Sequence, residues 1–257
     1  MLSIDTGKVA QRFAQASQSY QAQAVVQKHI AAQLMQHMQQ HLSFVELTRV
    51  FEIGCGSGNL SHLFMQQFQT KQLLLNDLYP EVQQHFDAQH AITWCIGDIE
   101  KINLAQGLDL VMSSSALQWI NDIDALLARL HQAIHAEGYL CFSSFGADNL
   151  KQIKTLTGRG LDYLSMAQWQ DKLSQLGFEV VHLSEAEELI YFEHPLHVLK
   201  HLKATGVTAT AQQHRWTKQS LQQFYQDYHQ FAVTDVQGKL QYPLSYHPIY
   251  CIARRVS

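Results

Sequence analysis

Glycines at 54, 56 and 58 alternate with small residues directly after an apolar run that carries an acid, Val50-Phe51-Glu52-Ile53-Gly54-Cys55-Gly56-Ser57-Gly58. Asn59-Leu60-Ser61-His62-Leu63-Phe64 then opens a helix. Glycine lets the chain turn sharply off a strand and lets a ligand come close to the backbone, because no Cβ intervenes. The spacing narrows the ligand. The dinucleotide fingerprint G-x-G-x-x-G would need glycine at 59, and Asn59 stands there. Two more acids close apolar runs downstream: Asp77 after Lys71-Gln72-Leu73-Leu74-Leu75-Asn76, and Asp98 after Ala91-Ile92-Thr93-Trp94-Cys95-Ile96-Gly97. Carboxylates at the ends of successive strands can accept hydrogen bonds from the hydroxyl and amino groups of one ligand.

The elements that must position these residues alternate. Strand-like runs and helical patterns follow one another from about residue 46 to 145, as in a parallel sheet with helices on both faces. The strands read as Val45 to Ile53, Lys71 to Asp77, Ala91 to Asp98, Leu108 to Ser114 and Tyr139 to Phe145. A helix is expected from about 59 to 68, and Pro80 suits the first turn of another. Ile123 to Ile134 has apolar residues at 123, 126, 127, 130 and 134, an amphipathic helix that Gly138 is expected to stop. In open sheets of this kind ligands bind beyond the carboxyl ends of the strands, where Glu52, Asp77, Asp98, Ser114 and Phe145 fall. One or two helices are expected from about 8 to 41, another from Gln168 to Leu176, and an extended region from Phe178 to Phe192. Pro195 to about Phe231 is again helical, a natural lid over the ligand crevice. A final strand spans Tyr246 to Ala253, its Pro248 suggesting an edge or a bulge.

At 257 residues the chain suits one large domain or a core with a cap. Its 46% apolar and 16% charged content allows a real core. A net charge of −4 argues against a surface built to hold nucleic acid. No apolar run approaches the roughly 18 residues of a membrane span, and Met1-Leu2-Ser3-Ile4-Asp5-Thr6 lacks a signal-peptide pattern. Cys55, Cys95, Cys141 and Cys251 lie far apart with no C-x-x-C pair. They read as buried thiols in a reducing compartment, which makes the cytoplasm the expected location. Three histidine pairs at i, i+4 spacing, His37/His41, His131/His135 and His197/His201, lack the glutamate of H-E-x-x-H and an evident third ligand. They are read as solvated helix faces, and no metal is expected.

Acid-x-G-x-G-x-G resembles the first motif of the class I methyltransferases, which bind S-adenosylmethionine. The fold this implies is α/β, a Rossmann-like seven-stranded sheet with a helical lid inserted between the last strands. One domain of 1–257 would comprise N-terminal helices at 1–44, a cofactor-binding core at 45–146, and C-terminal strands at 147–257 with the lid at about 194–232. The cofactor presents a ribose diol, an adenine, an ammonium, a carboxylate and a cationic sulfonium. Asp77, 19 residues after Gly58, would accept from the ribose hydroxyls with Leu78 beside it. Asp98 would accept from the adenine amino group while Ile99 donates its amide to a ring nitrogen. Glu52 would hold the loop and, through water, the amino end, with Gly54, Cys55, Gly56, Gly58 and Ser114 completing the site.

More specifically, the whole chain resembles the malonyl-[acyl-carrier protein] O-methyltransferase family of biotin synthesis. The resemblance rests on Val9-Ala10-Gln11-Arg12-Phe13-Ala14-Gln15-Ala16 with Tyr20, Ala24 and Gln27, on Leu108 to Trp119, on Ser143-Ser144-Phe145-Gly146, on Leu199-Lys200-His201-Leu202-Lys203-Ala204-Thr205-Gly206, and on Leu244 to Tyr250. It implies methylation of the free carboxylate of malonyl-acyl carrier protein or malonyl-coenzyme A. That carboxylate is already ionised at neutral pH, so no general base and no catalytic residue in that sense is expected; orientation and exclusion of water would suffice. Arg215 would hold the carboxylate, Tyr20 would donate across the closed site, and Gln118, Trp119 and Phe145 would line the acyl entrance. Lys200 and Lys203, with Lys8, Arg12 and Lys218, would dock an acidic carrier. Two rival readings stay open: a methyltransferase for another small carboxylic acid or a quinone, and a non-catalytic cofactor-binding module.

Overall fold

The computed structural model describes residues 25–43, 47–87, 91–205 and 216–256. Helix α1 (Val25–His41) buries Val26, Ile30, Leu34 and Met38, a stripe at four-residue spacing. Strand β1 (Leu47–Ile53) leads through the glycine turn into α2 (Asn59–Gln67), and β2 (Thr70–Asp77) follows. A 3-10 turn at Pro80–His85 replaces the expected helix, and β3 (Ile92–Ile96) comes next. Then come β4 (Leu108–Ser114), a 3-10 turn at Leu117–Trp119, and α3 (Ile123–Ala133), whose N-cap Asp122 accepts from the Ala125 amide at 3.0 Å.

Gly138 does not stop α3. The helix ends at Ala133 and passes directly into β5 (Ile134–Phe145). Gly138 lies inside that strand, where a Cβ would come 2.9 Å from the Leu108 carbonyl oxygen. The glycine serves close packing of β5 on the start of β4, at the register shift between Leu108 and Leu110.

Beyond β5 the chain forms α4 (Lys151–Thr157), absent from the sequence reading, then α5 (Met166–Gln175) with a capping box between Ser165 and Gln168. The extended region is two strands, β6 (Phe178–Glu185) and β7 (Glu188–Phe192). The helical insertion holds α6 (Pro195–Ala204) and α7 (Lys218–Tyr228). After it come the short β8 (Val233–Thr234), β9 (Leu240–Tyr246) and β10 (Pro248–Arg255).

Seven strands form the main sheet in the order β3-β2-β1-β4-β5-β10-β6. The first five pair in parallel, and β10 runs antiparallel between β5 and β6. Pro248 therefore sits on neither an edge nor a bulge. It is the first residue of an interior strand, where a missing amide is tolerated. A second sheet, β7-β9-β8, was not foreseen, and α6 and α7 fall between its first two strands in sequence. Alternation along each main strand splits the core in two. Val50, Leu73, Leu75, Leu110 and Met112 face α1 and α2, whereas Phe51, Ile53, Leu74 and Val111 share a cluster with α3 and α5. Among the described residues no helix is long and apolar enough to cross a membrane.

Strand order reverses between β1 and β4, so the carboxyl ends of β1, β2 and β4 open onto the switch-point crevice where such sheets take ligands.

Candidate functional site

Gly54 turns the chain off β1 with φ of +68°, and a Cβ on it would stand 2.5 Å from the Cβ of Ala116. Both the left-handed backbone and the close approach to the loop after β4 demand glycine. The turn then crosses the end of β2, where the Gly56 amide donates to Asp77 Oδ2 at 2.8 Å and the Leu78 amide to Oδ1 at 2.7 Å. Each oxygen keeps acceptor capacity for a ligand. Asp77 is 8% exposed, and burial raises its pKa to about 6 against the opposing pull of these amides.

Glu52 lies deeper, 1% exposed, accepting from Ser61 Oγ at 2.5 Å. Burial, with a further push from the Asp77 charge, raises its pKa to about 8 despite the Ser61 bond. Both acids therefore hold protons far more readily than exposed carboxyls do. The same burial, with Glu52 and Asp77 nearby, pushes the Cys55 thiol well up, leaving an inert wall residue.

The third acid sits on the loop after β3. Asp98 accepts from the Glu100 amide at 3.0 Å and from Lys101 Nζ at 2.9 Å. Two residues that the sequence did not single out fix this loop. Asn76 Nδ2 donates to the carbonyls of Cys95 and Gly97 at 2.7 and 2.9 Å. Arg129 of α3 donates to the carbonyls of Ile99 at 2.8 Å, Glu100 at 2.9 Å and Ile102. Beyond β4, Ser114 Oγ and Ser143 Oγ stand 3.1 Å apart. Ser115 takes φ of +56°, its amide held by Ser143 Oγ at 3.1 Å. A non-glycine residue in that region at a cleft is a mark of imposed geometry.

Glu52, Gly54, Cys55, Gly56, Asp77, Leu78, Asp98, Ile99 and Ser114 all line one cleft. Gly58 does not; it is the left-handed N-cap of α2. Gln27 of α1 joins the wall unannounced, 6% exposed and with Oε1 lacking a partner among the described residues. A polar residue three positions before Ile30, on the buried stripe of α1, was the signal that could have found it.

The expected acyl contacts divide. Trp119 belongs to the wall of this cleft and also to that of a second cavity under the helical insertion. Gln118 and Phe145 belong to neither wall among the described residues. Gln118 Nε2 turns back to the Ser115 carbonyl at 2.5 Å, and Phe145 packs between the rings of Tyr163 and Tyr246. Tyr20, Arg215, Lys8 and Arg12 lie outside the described residues, as does the segment 206–215. Lys200 and Lys203 are exposed on α6, and Lys218 on α7.

The histidine pairs are not solvated faces throughout. His201 is buried, with Nε2 2.9 Å from the Tyr246 hydroxyl, and burial lowers its pKa to about 4. His135 Nε2 meets Asp109 Oδ1 at 2.8 Å, and His131 packs edge-on against Phe178. His37 and His41 stack on His182 of β6, ring centroids 4.2 and 4.8 Å apart. Ligand atoms of these three lie within 4.8 Å of one another. The structure thus supplies, in His182, the third imidazole that the sequence did not show beside this pair, with the rings stacked at 27° and 26°.

An acid-flanked glycine turn at the switch point of a seven-stranded sheet, with acids on the next two strand exits, defines a class I methyltransferase site. The comparisons agree on the fold. Residues 51–142 match the family described as "Methyltransferase domain". The BH2331 protein from Bacillus halodurans C-125 has TM-score 0.63 and 15% identity, covering 88% of this chain and 99% of its own. The N-methyltransferase NodS from Bradyrhizobium japonicum WM9, solved with S-adenosyl-L-homocysteine, has TM-score 0.53 and 13% identity, covering 88% and 87%. The malonyl-[acyl-carrier protein] O-methyltransferase of Acinetobacter baylyi is 49% identical over 100% of this chain and 99% of its own length. This chain belongs to the malonyl-[acyl-carrier protein] O-methyltransferase family.

Gly54→Ala is expected to lower stability by on the order of 1–3 kcal/mol, through a strained φ and the clash with Ala116. Urea unfolding measures it. Adding Ala116→Gly should recover only part of the loss, since it removes the clash and leaves the strained backbone. Full recovery would show that the left-handed turn is not needed.

Proposed function

We propose that the protein transfers a methyl group from S-adenosylmethionine to the free carboxylate of malonyl-acyl carrier protein, giving the methyl ester that starts pimeloyl synthesis for biotin. The observation that carries the cofactor reading is the cleft itself: three acids, open glycine backbone and a buried amide oxygen with no partner among the described residues, around one space. The full-length identity of 49% to a relative of that name supports the substrate. When bound, the cofactor supplies an electrophilic methyl on a cationic sulfur.

The chain's residues fit that ligand. Asp77 holds the ribose hydroxyls with the acceptor capacity left by its two amide bonds. Asp98 and the Ile99 amide take the adenine edge, and Arg129 keeps their loop in place. Glu52 and Gln27 take the ammonium end, the one by charge and the other by its buried Oε1. The malonyl carboxylate needs no base, so the protein's work is to align its oxygen with the methyl and exclude water. The methyl passes to the carboxylate oxygen as the carbon–sulfur bond breaks, the electron pair remaining on sulfur. Arg215 holds the other carboxylate oxygen, Tyr20 donates across the closed site, and Lys200 and Lys203 meet the acidic carrier. The four unpaired thiols accord with work in the cytoplasm.

The deciding experiment supplies labelled S-adenosylmethionine with malonyl-acyl carrier protein or malonyl-coenzyme A and follows mass. A gain of one methyl on the malonyl group, removed by mild esterase, is the expected result. No transfer to either, with cofactor binding intact, overturns the reading in favour of a free-acid substrate or a binding module. In the same assay Arg215→Ala should raise KM for the malonyl substrate about tenfold or more while cofactor affinity holds. Loss of cofactor binding instead would refute that assignment.

Cofactor affinity should also depend on pH. In the free protein Glu52 keeps its proton up to about pH 8 and Asp77 only up to about pH 6, and a cationic ligand favours the ionised forms. Below about pH 8 binding then releases a proton from Glu52, and below about 6 one from Asp77 as well, so affinity rises with pH up to about 8 and levels off above it. Calorimetry in buffers of different ionisation enthalpy detects the released proton; a flat profile with no release would refute the coupling. Glu52→Gln should remove the upper part of the rise.

A further inference from the structure

The second cavity is larger than a malonyl group requires. It measures about 570 Å³ and lies between α4, the 158–163 loop, α6 and α7. Pockets of this size hold ligands of drug-like dimensions. Its inner wall is largely apolar, with Leu150, Ile153, Leu199, Leu202 and Phe224, and Trp119 lines both it and the cofactor cleft. Two exposed cations also stand on its wall, Lys154 and Arg159. Their neighbourhood is built. Helix α4 ends when the Gly158 amide returns to the Lys154 carbonyl at 2.9 Å, with Gly158 at φ +64°. The Lys154 stem then lies along Gly160, whose Cβ position would be 3.6 Å from it. Residues 154 and 159 thus belong to one folded corner.

We propose that this cavity takes the pantetheine arm of the acyl thioester, and that Lys154 and Arg159 hold the phosphate at the far end of that arm. The inference rests on the malonyl thioester reading above. A thioester acyl group reaches the methyl donor only from a neighbouring space, and the cavity that shares Trp119 with the cofactor cleft is that space. The arm's chemistry matches the wall: an aliphatic and amide-bearing chain against apolar side chains, then an anion at the exposed cationic corner. Carrier protein and coenzyme A present the same arm and the same phosphate position, so the site serves either source. Sequence reading could not reach it, because α4 and the 158–163 loop carried no motif.

The test compares three malonyl thioesters in the methyl-transfer assay: carrier-bound, coenzyme A-bound, and malonyl-pantetheine, which lacks the phosphate. In the wild type, KM should be higher for malonyl-pantetheine. The double variant Lys154→Ala, Arg159→Ala should raise KM roughly tenfold for both phosphate-bearing substrates and leave malonyl-pantetheine unchanged. Cofactor affinity and thermal midpoint in the same preparation report that the variant is folded. Equal loss on all three substrates, or no loss on any, overturns the phosphate assignment. Loss on the carrier-bound form alone makes these cations a protein-docking contact and also overturns it. Failure of the wild type to methylate any of the three defeats the underlying reading. Titration of the wild type with phosphopantetheine, followed by Trp fluorescence, still decides whether the cavity takes the arm: saturation weakened in the double variant supports it, and absence of binding refutes it.

Discussion

Two carboxyl groups buried on adjacent strand ends set the terms for the rest of the molecule. Glu52 and Asp77 leave β1 and β2, which pair in parallel register, so the sheet itself forces them together. Burying a charge without a partner costs several kcal/mol, and a second like charge nearby raises the cost. The free protein offsets this with backbone amides on Asp77, a hydroxyl on Glu52, and protons retained far up the pH scale. None of these is a cation. A site that holds acids in so dry a place is matched to a ligand that brings positive charge.

The glycine turn follows from the same constraint. Asp77 needs the Gly56 amide aimed at it, which requires the chain to leave β1 in the left-handed region and to press against Ala116. Ala116 in turn is placed by Ser115, whose positive φ is held from β5 by Ser143. Arg129 repeats the device on the other side, tying three carbonyls of the β3 loop to α3. The cleft is thus set by three strand exits that brace one another, so its geometry exists before any ligand arrives.

This bracing explains what the sequence revealed. The glycine spacing and the acids at 52, 77 and 98 are local signals, because each residue sits where its own strand ends. Strands β1, β2 and β4 were legible from apolar runs for the same reason. Contacts made across the fold were not. Gln27 reaches the cleft from a helix about 25 residues upstream of Glu52, and its only local mark is a polar side chain on the buried stripe of α1. Gln118 and Phe145 had the right address and the wrong direction, one turned to the Ser115 carbonyl and the other packed between tyrosines. Likewise Pro248 reads as a disruption within a strand until β9 and β10 are seen as separate strands meeting at His247.

The helical insertion has its own logic. Strands β7 and β9 pair in register from Glu188–Tyr246 to Phe192–Tyr242, a two-strand base that continues into β6 and β10 of the main sheet. His201 locks α6 to this base through Tyr246, and Tyr228 of α7 donates to the Pro243 carbonyl at 2.9 Å. A buried neutral histidine and a buried phenol are satisfied only while the insertion stays seated. The insertion is therefore anchored on the β9 side, while α7 also packs against α4 on the other. The larger cavity lies between these helices and the α4 corner, and Trp119 lines both it and the cleft at the strand ends. Neither anchor, His201 with Tyr246 nor Tyr228 with Pro243, stands on the wall of that cavity, so its filling and the seating of the insertion are separate matters.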